Sequence, residues 1–308
     1  MTEKYQHATC AKALPESLRD EPCNNSLAGA LSAATAQLQH LDSARLDAEI
    51  LLVHALQRPR SYLYAWPQTI LSPSQLHQYR QLIARRAAGE PVAYLTGSRE
   101  FWSMELLVTA DTLIPRPETE TLVELALERI PVAATWWIAD LGTGSGAIAL
   151  ALAGERPRCN IIATDHAPAA LAVARRNGRR LAAGQVHFVI GDWCKPLRAH
   201  ALDMMVCNPP YVAEHDPHLS ATGVRFEPRT ALASGDDGLR DLRKLVHQAL
   251  RALRPGGWLL LEHGYQQAAA VLQLLAAGGY RNIAAYKDSM GNPRVAVGQT
   301  PGNDAADA

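Results

Sequence analysis

The apolar run Leu202 to Cys207 ends in Asn208-Pro209-Pro210-Tyr211. Two consecutive prolines carry no backbone N–H, so this stretch offers carbonyl acceptors with few donors to satisfy them. The Asn208 side chain adds an amide carbonyl, and Tyr211 adds a flat ring. Acceptors beside an aromatic face suit a planar –NH2 group, and carboxamides and exocyclic base amines share that shape. An amide nitrogen is a poor nucleophile because its lone pair is delocalised. Acceptors that orient its hydrogens help to localise that pair toward an electrophile.

A site for the electrophile lies upstream. Trp136-Trp137-Ile138-Ala139-Asp140-Leu141 reads as a strand, Gly142-Thr143-Gly144-Ser145-Gly146 as a turn, and Ala147 to Leu152 as the start of a helix. Strand, glycine turn and helix make a nucleotide-binding unit in which the backbone approaches the ligand closely. The next strand, Asn160 to Thr164, ends in Asp165, where a carboxylate can accept from ribose hydroxyls. The spacing is Gly-x-Gly-x-Gly with Asp140 two residues before the first glycine. That differs from the Gly-x-Gly-x-x-Gly of dinucleotide sites. S-adenosylmethionine has no phosphates and needs no pyrophosphate cradle, so it is the expected cofactor. Trp193, in Gly191-Asp192-Trp193, falls at the C-terminal end of the following strand, on the ligand side of an open sheet.

These motifs resemble the class I S-adenosylmethionine-dependent methyltransferases that modify planar nitrogens. Further segments narrow the resemblance: Glu90 to Gly97, Arg99-Glu100-Phe101-Trp102, Leu113-Ile114-Pro115-Arg116-Pro117-Glu118-Thr119-Glu120, and Phe226-Glu227-Pro228. From about residue 26 to about residue 298 the chain resembles the release factor glutamine methyltransferases. These methylate the side-chain amide nitrogen (N5) of the glutamine in the Gly-Gly-Gln motif of class 1 peptide chain release factors. The resemblance implies a seven-stranded, mostly parallel sheet with one antiparallel strand near the edge. It implies that Gly142, Thr143, Gly144, Ser145, Gly146, Asp165, Trp193 and Asn208 hold the cofactor, with Trp193 beside the adenine. Asn208, Pro209 and Tyr211 would perform the transfer, and Pro210 and Phe101 would help to enclose the substrate amide. Asp192 would accept from the adenine amino group or cap its loop. Arg116 and Glu118 would shape the cofactor pocket or brace the domain junction. A glutamine methyltransferase of ribosomal protein and an adenine N6-methyltransferase remain as alternatives. The first family usually departs from Pro-Glu-Thr-Glu after the Ile-Pro-Arg element, and the second should bring a basic groove.

The elements that must position these residues follow from periodicity. Residues 1–25 are polar and read as a flexible extension. Residues 26–95 carry three or more amphipathic helices, starting near Ser26, Ser43 and Ser72, and read as a helical bundle that recognises a protein substrate. Residues 96–116 read as a linker or hairpin, closed by Pro115 and Pro117. From 117 to 299 strands alternate with helices, which implies an α/β domain with a parallel sheet. Residues 300–308 read as a loose tail.

The 308 residues are 48% hydrophobic, and 30 basic residues balance 30 acidic ones, leaving no overall electrostatic footprint for nucleic acid. The Arg175-Arg176-Asn177-Gly178-Arg179-Arg180 run reads as the solvated end of a helix. Five scattered cysteines (Cys10, Cys23, Cys159, Cys194 and Cys207) fit a reducing cytosol. With no long apolar stretch, a cytoplasmic monomer away from membranes is the expectation. His215 and His218 read as members of a solvated loop, His263 as structural, and no metal is expected.

Overall fold

The computed structural model describes residues 25–302, and it divides into two compact units between Ala88 and Gly89. The expected extension up to residue 24 and the tail from residue 303 lie outside the described residues, as do Cys10 and Cys23.

The first unit holds helices α1 (Leu27–Gln37), α2 (Ala44–Leu56), α3 (Ser61–Ala65) and α4 (Pro73–Ala87). Ser26 caps α1 by accepting from the Gly29 N–H. Ser72 caps α4 within a full capping box closed by Gln75. Ser43 precedes α2 without capping it; its hydroxyl donates to Asp47 instead. Leu27, Leu31, Leu51, Leu52, Tyr79 and Ile83 fill the bundle core. Two buried acids on α2 are both paired, Glu49 with Arg45 and Arg60 and Asp47 with Arg86. The short α3 has too few turns to show in the sequence period.

The second unit opens with α5 (Val92–Thr96), which groups with this unit and not with the bundle. An antiparallel hairpin follows, β1 (Ser98–Phe101) and β2 (Met104–Leu107). Trp102 and Ser103 at its tip both have positive φ, the geometry that a two-residue hairpin turn requires. Next, a short 3₁₀ turn (Pro117–Thr119) leads into α6 (Glu120–Arg129). The order then runs β3 (Trp137–Leu141), α7 (Ala147–Glu155), β4 (Asn160–Asp165), α8 (Pro168–Arg180), β5 (Val186–Ile190) and β6 (Leu202–Cys207). It ends with α9 (Arg240–Ala252), β7 (Leu253–Glu262), α10 (Ala268–Ala277), β8 (Arg281–Lys287) and β9 (Pro293–Gln299).

The seven strands β3 to β9 form one sheet in the order β5-β4-β3-β6-β7-β9-β8. All pairings are parallel except those of β9, which runs antiparallel to both β7 and β8. Every residue of β6 is buried, as a central strand covered on both faces demands. One core layer packs Leu122, Val123, Ile138, Leu152 and Val206 on one face. The other packs Leu141, Met205, Leu245, Leu261 and Val271. Arg254 to Gly257 lies inside β7 as an irregularity where the register against β6 shifts.

The chain winds outward from β3 through β4 to β5, then returns to place β6 on the other side of β3. This reversal opens a crevice at the C-terminal ends of β3 and β6. Leu141 and Cys207 are register partners, so the glycine turn and Asn208 leave adjacent strands at the same level.

Candidate active site

On one side of the crevice lies the glycine turn. Gly142, Gly144 and Gly146 have φ of +70°, +55° and +88°, a region that L side chains rarely adopt. A Cβ on Gly142 would stand 3.2 Å from the Trp193 ring, so the aromatic closes over the turn. Thr143 and Ser145 are buried, and Asn177 on α8 donates to the Ser145 carbonyl at 2.9 Å and to the Leu107 carbonyl at 3.0 Å. Asp140 Oδ2 accepts from the Thr143 hydroxyl at 2.6 Å and the Ala149 N–H at 3.1 Å. Its Oδ1 is buried without a partner, and burial pushes the carboxyl up to about 7. Asp165 ends β4 with Oδ2 accepting from the Gly144 N–H and Oδ1 from the Ala167 N–H, each at 2.9 Å. Asp165 therefore also anchors the glycine turn, and each oxygen keeps lone-pair capacity for a further donor.

A cavity of about 370 Å³ opens here, lined by Gly142, Asp165, His166, Trp193 and Pro210 among others. Asp192, also on its wall, is held below the ordinary carboxylate range by Lys195 and Lys244, at 2.7 and 2.8 Å. The donor set fits S-adenosylmethionine. Two carboxylates, one with an unpartnered buried oxygen, flank the turn and suit a cationic ligand better than a pyrophosphate. Nothing within 4 Å would meet a Cβ on Gly144, so the turn faces open space. Of the cations on the far wall, Lys244 pairs with Asp192 and Arg240 with Glu214 and Asp241, while Arg229 donates to the Glu214 carbonyl.

The acceptor loop lies across the crevice. The Asn208 side-chain N–H donates to Thr119 Oγ1 at 3.0 Å, which leaves Asn208 Oδ1 free to accept elsewhere. The Tyr211 hydroxyl donates to Glu262 Oε1 at 3.2 Å, and Gln267 Nε2 donates to the Tyr211 carbonyl at 3.0 Å. Asn208, Pro209 and Tyr211 line a second cavity of about 600 Å³, walled also by Arg116, Tyr265 and Arg294. Pro210 lines the first cavity. The loop is thus a partition with one residue toward the glycine turn and three toward the second cavity.

Arg116 pairs with buried Glu227, whose other oxygen accepts from the Ile114 N–H at 3.0 Å. The Ile-Pro-Arg and Phe-Glu-Pro segments therefore lock together beside the second cavity. Glu118 is half-buried and its charge acts on Glu262. Phe101, expected to enclose the substrate amide, lines neither cavity. It is 2% exposed in the core with Leu106 and Leu122. His215 is almost fully solvated, His218 borders the second cavity, and His263 is buried with Nδ1 against the Gly264 carbonyl. Four residues that hold the site were not singled out from sequence: Thr119, Asn177, Glu227 and Glu262. Glu262 had a legible signal, since it ends a strand on the ligand side of the sheet. Thr119 and Glu227 lie inside motifs whose role was open.

Residues 29–97 match the PrmC N-terminal domain, and residues 119–227 match the methyltransferase small domain. The chain is 49% identical to the release factor glutamine methyltransferase of Escherichia coli K12 over 269 residues, covering 87% of this chain and 97% of that one. It is 50% identical to the protein of the same name from Vibrio cholerae, covering 88% and 95%. Among solved structures, the hMettl16 catalytic domain in complex with an RNA hairpin overlays with a TM-score of 0.55 at 18% identity, over 72% of this chain and 82% of that one. A methyltransferase from Pyrococcus furiosus overlays at 0.50, also at 18% identity, over 72% and 98%. Those two likenesses speak for the fold. Identity near one half over nearly the whole length speaks for more, and by it the chain belongs to the release factor glutamine methyltransferase family.

Proposed function

We propose that this enzyme transfers a methyl group from S-adenosylmethionine to the side-chain amide nitrogen of the glutamine in the Gly-Gly-Gln motif of class 1 release factors. The observation that carries the reading is the partition: Asn208, Pro209 and Tyr211 face one cavity while Pro210 faces the cavity at the glycine turn. The cofactor supplies an electrophilic methyl group on a sulfonium. Asp165, Trp193 and the glycine turn bind and orient it. Asn208 Oδ1 and the Pro209 carbonyl accept the two amide hydrogens, and Tyr211 packs on the planar amide. These acceptors stabilise positive charge that develops on the nitrogen. Most of the rate then comes from holding nitrogen and carbon in a near-attack geometry. The proton leaves after transfer, so no dedicated base is required. Arg116, fixed by Glu227, and Tyr265 border the acceptor cavity, where the chain flanking the glutamine would lie.

The test is mass spectrometry of a purified release factor after incubation with enzyme and cofactor. One added methyl on the Gly-Gly-Gln glutamine is expected, with most turnover lost in Asn208→Ala. Methyl on another residue, or only on ribosomal protein or nucleic acid, would overturn the reading.

A further inference from the structure

Glu262 is 1% exposed at the C-terminal end of β7, beside the strand that carries Asn208. It lines neither cavity itself. Two side chains of the acceptor site converge on it. The Tyr211 hydroxyl donates to Oε1 at 3.2 Å, and Thr119 stands near enough to favour the charged carboxylate, without a hydrogen bond of ordinary geometry to it. Oε2 is buried with no hydrogen-bond partner of its own. Thr119 is in turn the acceptor for the Asn208 side-chain N–H. A hydroxyl has one proton. If that proton points at Glu262, Thr119 can only accept from Asn208, so the amide must present its N–H inward and its oxygen to the acceptor cavity.

We infer that Glu262 is a positioning residue, whose charged carboxylate sets the proton direction of Thr119 and Tyr211 and thereby fixes which end of the Asn208 amide faces the substrate. The inference rests on the acceptor role of Asn208 proposed above. An uncharged Glu262 can donate to Thr119. Thr119 can then donate to Asn208, and the amide loses its reason to keep one orientation. The groups facing Glu262 oppose one another: Arg294, Thr119 and Tyr211 favour its charge, while Glu118 and burial disfavour it, with the thiol of Cys207 also near. Burial dominates and pushes the carboxyl up to about 7, so the switch falls near neutral pH.

Initial rates of methyl transfer to purified release factor test this with Glu262→Gln, Thr119→Val, the double variant and Thr119→Ser. Wild-type transfer comes first, since its absence would refute the substrate assignment and not the positioning role. Each of the first two variants should lower kcat by about tenfold, the scale of one charge-assisted hydrogen bond. The double variant should be no worse than about twofold below either single one, because both act on the same amide. Thr119→Ser should retain kcat within about threefold. The acid limb of the kcat profile near neutral pH should flatten in Glu262→Gln. Cofactor affinity by calorimetry should stay within about threefold in all of them. Full kcat in Glu262→Gln, multiplicative losses in the double variant, or cofactor affinity falling in step with kcat would overturn the inference. If Glu262→Gln fails to fold, the Thr119 pair decides: equal kcat for Val and Ser at that position would overturn it.

Discussion

Asp165 serves two partners at once. Its oxygens hold the N–H groups of Gly144 and Ala167 while its carboxylate lines the cavity at the glycine turn. Asp165→Ala therefore removes a proposed pair of ribose contacts and frees the glycine turn. Charge-assisted bonds are worth about 1.5–3 kcal/mol, so the cofactor dissociation constant should rise by one to two decades. Calorimetry reads it; unchanged affinity would remove Asp165 from the site. Glu262 makes a separate prediction about stability. Its folded pKa, about 7, lies above its ordinary value of 4.5. A raised carboxyl favours the folded state fully below about 4.5 and loses that contribution as pH climbs through 7. Urea midpoints should thus fall between pH 5 and pH 8 for the wild type, and fall less for Glu262→Gln. Parallel declines would show that Glu262 ionises normally. At this scale the sequence spoke clearly where backbone chemistry dictates residue type, as in the glycine turn and the double proline. It was silent on Asn177 and Thr119, whose hydrogen bonds join positions far apart in the chain.

The Asn208 to Tyr211 loop is held from behind by segments that follow it in the chain. Gly238 is buried with φ +73°, and a Cβ there would stand 2.3 Å from the Tyr211 carbonyl and 2.8 Å from Gln267 Nε2. The same φ keeps Gly238 out of α9, which starts at Arg240. Gly238→Ala should push the Tyr211 backbone out of line. A fall in kcat of at least tenfold with cofactor affinity preserved is the expected result, alongside a stability cost of about 1–3 kcal/mol for the strained backbone. Loss of cofactor binding with equal weight would mean that the partition moves as one piece. Strands and helices of the sheet domain were legible because buried parallel strands read as short apolar runs between helices with a polar face. Phe101 was not. Its neighbours in a short hairpin give no period, and the choice between core and pocket depends on the side to which β1 turns it.

The two units carry separate cores, and every group proposed to touch cofactor or acceptor amide lies after residue 116. The sequence placed the bundle's end at about residue 95; packing groups α5 with the sheet domain, since a five-residue helix after a proline offers no amphipathic signal of its own. The bundle has no evident chemistry. Its buried acids, Asp47 and Glu49, are spent on internal ion pairs. Its proposed purpose is to hold a large protein so that one glutamine reaches the acceptor cavity. Removing residues 1–88 should then leave a domain that binds cofactor with affinity within about threefold of the full chain. Methylation of full-length release factor should drop by at least about tenfold in kcat/KM, because the binding energy that orients the substrate is gone. A short Gly-Gly-Gln peptide never made those contacts, so its slower methylation should change by less than about threefold. Equal losses for protein and peptide would show that the bundle supports the fold of the catalytic unit, and undiminished methylation of the protein would show that recognition lies within residues 89–308.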